Sequence, residues 1–173
     1  MGSVIRVDRK SSVLTPSSLA CLSRMPTINL TGGCSIGCVY CYTVGYSSHP
    51  GEGRTVVFEN TLVRLKAELA RKRTLPRAVL FSTASDLFQP IPSVLELGHR
   101  TLEFLLSEGI GVVFLTKGQI PRDTLGLLLK HADRVRAQIG ITTLDEHVAS
   151  TFEPNAARSL VRLEQMAALI AGG

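Results

Sequence analysis

Cys34, Cys38 and Cys41 fall within the run Gly32-Gly33-Cys34-Ser35-Ile36-Gly37-Cys38-Val39-Tyr40-Cys41-Tyr42. Three thiolates on a glycine-rich loop point to a metal site. Three ligands, not four, point to chemistry. An iron–sulfur cluster of the [4Fe–4S] type held by three cysteines keeps one iron free of protein ligands. A free iron can bind a substrate or a cosubstrate. Two other readings stay open on spacing alone. One is a zinc site with His49 as fourth ligand, since structural zinc takes four protein ligands. The other is ordinary buried cysteine. Cys21, the fourth cysteine of the chain, reads as a spare thiol. Three of the thiols are too close together for disulfides and no secretion signal precedes them, so a reducing, cytoplasmic setting is expected.

The elements around this loop follow from periodicity and turn residues. Residues 1–26 are polar and weakly periodic and read as an extended N-terminal lead-in; residues 27–173 read as the core domain. Pro26–Thr31 is expected as a short strand that runs straight into the cysteine loop. Gly45–Arg54 carries loop residues. From Glu59, Leu62, Leu65 and Leu69 recur at helical spacing. Arg77–Ser82 and Gly111–Thr116 read as buried strands, and Val135–Ile141 as a fourth. Ser93–Ser107 is expected as a helix that stops at Gly109. Pro121 marks the next helix start. Glu146 to about Ala171 is expected to be helical with a break near Pro154.

This alternation implies an α/β fold with parallel strands and right-handed crossovers. Four βα units are visible, which is too few to close a barrel. The expected architecture is a partial (βα) barrel. Its open edge calls for a further C-terminal segment or a second chain as partner. In such a sheet the C-terminal strand ends gather at one site. Cys34–Cys41, Ser82, Ser85, Asp86, Lys117 and Thr142 should therefore converge. Each has a plainer reading. Lys117 could be a solvated lysine, Asp86 a helix cap, and Glu153 with Arg162 a structural ion pair.

The residues also carry a family resemblance. Cys34-x3-Cys38-x-Tyr40-Cys41 after a first strand resembles the radical S-adenosylmethionine superfamily. Ser85-Asp86-Leu87-Phe88-Gln89-Pro90, Leu115-Thr116-Lys117-Gly118-Gln119-Ile120-Pro121-Arg122-Asp123 and Phe152-Glu153-Pro154 with Arg162-Leu163 resemble segments of its spore photoproduct lyase-like (DNA repair photolyase-like) group. The resemblance implies a [4Fe–4S] cluster on Cys34, Cys38 and Cys41, and S-adenosylmethionine bound at the free iron. Reductive cleavage would give a 5′-deoxyadenosyl radical that abstracts hydrogen from a substrate. It implies Lys117 at the methionyl carboxylate and Ser82, Ser85 or Asp86 near the amino end. Thr142 would lie at the carboxylate or ribose and Tyr40 against the adenine. A flavodoxin- or ferredoxin-type electron donor is implied as partner. Three departures stand out. The group's Asp-Pro-Tyr is replaced by Asp86-Leu87-Phe88. Ser82-Thr83-Ala84-Ser85 stands in place of the superfamily's Gly-Gly-Glu. No cysteine follows Cys41, so a hydrogen-donor cysteine has no counterpart within these residues.

The chain has 173 residues, 45% of them hydrophobic and 19% charged, which suits one globular domain. No apolar run reaches membrane-span length. The net charge of +5 is compatible with a nucleic-acid substrate. The alternative functions are a zinc-stabilised nucleic-acid binding module and a cluster-bearing subunit that acts only with a partner completing the barrel.

Overall fold

The computed structural model describes residues 2–17 and 25–172; Cys21 lies outside the described residues. The chain begins with β1 (Ser3–Val7), β2 (Thr15–Pro16), β3 (Pro26–Ile28), β4 (Thr31–Gly32), β5 (Arg54–Phe58) and α1 (Thr61–Ala70). It continues through β6 (Ala78–Phe81), α2 (Pro92–Ser107), β7 (Gly111–Thr116), α3 (Arg122–Lys130) and β8 (Val135–Ile139). It closes with α4 (Glu146–Phe152) and α5 (Ser159–Ala171).

The main sheet runs β2-β3-β6-β7-β8. β3, β6, β7 and β8 are mutually parallel, and β2 is antiparallel to β3. Each parallel strand leads to helix, so the chain is a partial (βα) barrel of four units. The core is built from the apolar strand positions. Val79, Phe81, Val112 and Phe114 meet Leu65 and Leu69 of α1, Leu102, Leu105 and Leu106 of α2, and Leu128 of α3. Burying each such side chain is worth roughly 1.5–3 kcal/mol, so these helices are held by their apolar faces more than by propensity.

The helix ends are chemically marked. α2 starts at Pro92, whose missing N–H costs nothing in the first turn. Gly109 follows α2 at φ +74°, a left-handed conformation that glycine adopts without strain. α3 carries Asp123 in its first turn and Lys130 in its last, as the helix dipole favours. Asp145 caps α4, accepting from the N–H groups of His147 and Val148. The break expected near Pro154 is residues 153–158, between α4 and α5.

The strand expected over Pro26–Thr31 divides in two. Asn29 interrupts it, sending its amide to Thr83 Oγ1 at 3.0 Å and accepting the Ala84 N–H at 2.9 Å. The chain then leaves the main sheet and enters a smaller one, β1-β5-β4, where β4 is antiparallel to β5. The sequence reading names no strand at Arg54–Phe58. β5 forms there because Thr55 and Val57 alternate inward and β1 supplies a parallel partner. At the other side of the molecule β8 is paired on one edge only, to β7, among the described residues. Beside that edge is a groove of about 520 Å³ lined by Leu128, Leu129, Val135, Ala137, Leu169 and Ile170.

Candidate active site

β4 delivers the chain directly into the cysteine loop. Gly33 (φ +74°) and Gly37 (φ +68°) bend it. A Cβ on Gly33 would stand 2.4 Å from the Arg54 carbonyl oxygen, so only glycine lets the loop lie against β5. The three cysteines are free thiols, each partly buried. Burial first, and then the charge of Asp86, push the Cys34 thiol up to about 12, although the backbone N–H groups of Ile36 and Asp86 point at its sulfur. Ser35 Oγ is buried with no partner among the described residues. Directed N–H groups and a spare hydroxyl beside the thiols suit a cluster, whose sulfurs accept hydrogen bonds. Among the described residues no three Cys, His, Asp or Glu side chains converge on a single-ion site. His49 lies partly buried on the following loop and accepts the Gly51 N–H at its own Nδ1.

The loop is fixed from below by Gln89, which is fully buried. Its Oε1 accepts the Ser35 N–H at 2.6 Å, and its Nε2 donates to Thr31 Oγ1 at 2.8 Å and to the Asp86 carbonyl at 2.9 Å. Asp86 in turn spans two strand ends. Its Oδ1 accepts from Phe88 N and Thr116 Oγ1, and its Oδ2 from Lys117 N, at 2.7–2.8 Å. Burial raises this carboxyl above its usual range, and those donors oppose the rise. The Asp86 side chain thus ties the end of β7 to the loop after β6. Ser82, at the end of β6, holds φ +67° without being glycine, a strained conformation that concentrates at functional sites. Ser85 is partly exposed on the same loop.

Tyr40, Lys117 and Thr142 meet at Glu153. The Glu153 Oε1 accepts hydrogen bonds from the Tyr40 and Thr142 hydroxyls, and Lys117 Nζ lies 4.0 Å away. Lys117 Nζ also sits 5.4 Å above the Tyr40 ring. Burial would lower the Lys117 ammonium, but the facing Cys38, Tyr40 and Glu153 outweigh it and hold it above the ordinary lysine value. Arg162, itself 1% exposed, donates from Nη1 to Glu153 Oε2 at 2.7 Å. The expected Glu153–Arg162 ion pair is therefore present and buried. Burial works to raise Glu153, yet the Thr142, Tyr40 and Arg162 donors hold it below its usual value.

The structure thus brings the cysteine loop, Tyr40, Lys117 and Thr142 to one end of the parallel sheet, with Ser82, Ser85 and Asp86 on the loop after β6. Asn29, Gln89 and Asn155 are site-building residues that the sequence reading does not single out. For Asn29 and Gln89 the signal is a lone amide inside an apolar run, as in Ile28-Asn29-Leu30 and Phe88-Gln89-Pro90-Ile91. Such an amide inside a packed region must find partners. Asn155, which donates to the Ser35 carbonyl, carries no such signal.

The Radical SAM superfamily model matches residues 28–166. The chain belongs to the radical SAM superfamily.

Two curated relatives and the solved structures of one lyase are similar to this radical SAM chain. An uncharacterized protein of Acidianus two-tailed virus is 31% identical over 93 residues, covering 54% of this chain and 30% of that protein. A radical SAM Nalpha-GlyT isomerase of Pseudomonas phage M6 is 28% identical over 126 residues, covering 72% of this chain and 25% of the isomerase. A cysteine-to-serine variant of spore photoproduct lyase superposes with a TM-score of 0.71 at 18% identity. A lyase variant with bound AdoMet and dinucleoside spore photoproduct gives 0.70, also at 18% identity. Each covers 98% of this chain, while this chain covers 48% of the lyase. The radical SAM chain thus spans about half the length of those lyase chains and 30% and 25% of the curated relatives. The likeness to the lyase is one of fold.

Proposed function

We propose that the chain carries the cluster-bearing part of a radical S-adenosylmethionine enzyme. The observation that supports it best is that Tyr40, from within the three-cysteine loop, meets Lys117 and Thr142 at Glu153, at the strand ends of a radical SAM fold. Cys34, Cys38 and Cys41 would hold a [4Fe–4S] cluster. Bound there, the cluster would supply one-electron reducing chemistry, splitting S-adenosylmethionine into methionine and a 5′-deoxyadenosyl radical able to abstract hydrogen from a substrate.

The chain's own residues bind and orient. Lys117 presents an ammonium to the methionyl carboxylate, a charge-assisted contact. Tyr40, 48% exposed, offers its ring face to the adenine. Thr142 lies beside it, its Oγ1 3.2 Å from the Tyr40 hydroxyl, and serves the carboxylate or ribose. Ser82 and Ser85 face the amino end. Asp86, whose oxygens already accept three hydrogen bonds, holds the Lys117 backbone in place and turns its negative charge toward the amine.

A nucleic-acid substrate is the favoured class. The net charge of +5 suits it, and the lyase of like fold has been solved with a dinucleoside spore photoproduct. A flavodoxin- or ferredoxin-type donor would supply the electron. The three free thiols suit a reducing cytoplasmic setting, and no helix among the described residues is long and apolar enough to cross a membrane. Residues beyond this chain, or a second chain, would cover the free edge of β8.

Anaerobic reconstitution tests the proposal. Iron and sulfide should load onto the chain, and a reductant should release 5′-deoxyadenosine from S-adenosylmethionine. Cys34→Ser, Cys38→Ser and Cys41→Ser should each abolish both. One zinc per chain, no sulfide, and nucleic-acid binding indifferent to S-adenosylmethionine would favour the zinc-stabilised module instead.

A further inference from the structure

One buried carboxylate faces each side chain that the proposed function places against S-adenosylmethionine from the cysteine loop and from just beyond β7 and β8. Glu153 is 2% exposed. Its two oxygens are used differently. Oε2 is held by Arg162 Nη1 at 2.7 Å, and the same nitrogen donates to the Gly140 carbonyl at 2.7 Å, so the carboxylate is fixed in place. Oε1 takes the hydroxyls of Tyr40 and Thr142. Lys117 stands 4.0 Å from that oxygen, beyond hydrogen-bond reach. The ammonium is therefore aimed by Glu153 without being consumed by it.

The backbone around Glu153 makes the arrangement a unit. Residues 152–157 are bonded both to the cysteine loop and to the end of β7. Val39 N donates to the Phe152 carbonyl at 3.0 Å, Asn155 N to the Ile36 carbonyl at 3.2 Å, and Ala157 N to the Lys117 carbonyl at 2.8 Å. Gly140 completes it, because a Cβ there would lie 3.1 Å from Lys117 Cγ and displace the lysine stem. One anion, Glu153, faces two cations, Arg162 and Lys117, together with the Cys38 thiol and the Tyr40 hydroxyl. The excess positive charge sits on Lys117, the more accessible of the two cations, its side chain 22% exposed against 1% for Arg162.

We propose that Glu153 is a positioning residue for S-adenosylmethionine. It sets Tyr40, Thr142 and Lys117 as one group, and so lets the lysine select the methionyl carboxylate. The inference rests on the reading that these three residues face the cosubstrate. Its test separates the two. The anaerobically reconstituted chain is compared with Glu153→Gln and with the double variant Glu153→Gln/Arg162→Met by equilibrium dialysis against S-adenosylmethionine and its decarboxylated analogue. The double variant removes both members of the buried pair, which folded proteins tolerate better than loss of one. The unaltered chain should prefer the carboxylate-bearing ligand. In the variant that retains a cooperative melt, the dissociation constant for S-adenosylmethionine should rise about tenfold, the weakening expected from one misaimed charge-assisted contact. Binding of the decarboxylated analogue should stay level, so the preference narrows by the same tenfold factor. A purely structural role would lower the melting temperature and leave the preference intact. A folded variant that keeps the preference undiminished overturns the inference while leaving the proposed function standing. An unaltered chain that binds neither compound overturns the reading of the site, and this inference with it.

Discussion

At the scale of single residues, the site depends on a few atoms that have no room to change. Gly118 follows Lys117, and a Cβ there would stand 2.0 Å from the Phe88 carbonyl oxygen. That obstacle is backbone and cannot rotate away. Gly118→Ala should therefore destabilise the chain by about 3 kcal/mol, the scale of a serious overpacking, as read by chemical denaturation. Glu153 makes a different prediction, in pH. Its folded value lies below its ordinary 4.5, so its contribution to stability is complete above that value. The contribution is lost as pH falls from 4.5 through the folded value, because the unfolded chain then binds the proton more readily. Unfolding free energy followed from about pH 6 to about pH 3 should fall more steeply for the unaltered chain than for Glu153→Gln/Arg162→Met. Equal slopes would show that the carboxylate is not held in its charged form.

At the scale of elements, the break between α4 and α5 matters more than either helix. Asn155 Nδ2 donates to the Ser35 carbonyl at 2.9 Å, in addition to its backbone bond to Ile36. Asn155→Ala should cost only about 1 kcal/mol, the net value of one hydrogen bond. Amide exchange should nevertheless quicken at residues 35–39 while β6 and β7 keep their protection. A uniform rise across the sheet would mean that the break does not act locally. The position of this break was legible from Pro154, just as Gly109 marked the end of α2. The parallel strands were legible too, because Val79 with Phe81 and Val112 with Phe114 belong to short apolar runs bounded by turn residues. The smaller sheet was not. All five residues of β1 are exposed, and β4 has two residues, so neither leaves a burial pattern to read. Of the site, the thiols could be found by type and spacing, and Lys117 and Thr142 by their places at the ends of parallel strands. The link from Tyr40 to Thr142 spans 102 residues, and only the order of parallel strands brings them together. Glu153 could be read as half of an ion pair, but its grip on Tyr40 and Thr142 is a property of three dimensions alone.

At the scale of the whole molecule, the free edge of β8 and its apolar groove are the least finished surface. Ile170, 73% exposed, stands at its rim. Ile170→Lys should change folding stability by less than about 0.5 kcal/mol, as exposed substitutions do, yet reduce self-association of the chain in concentrated solution. Chemical denaturation reads the stability and sedimentation velocity across a concentration series reads the association; unchanged association would place the sticky surface elsewhere. The same molecule also has an order in time. The cysteine loop is closed by Phe152 and Asn155, more than a hundred residues further along the chain. A ribosome adding about 5–20 residues per second releases those closing groups on the order of ten seconds after the last thiol. The thiols are thus made early and housed late, so a nascent chain passes through an interval in which oxidants and stray metals can reach them. For the cluster proposed above, the metal would have to arrive after the loop has closed, or the thiols be kept reduced until then.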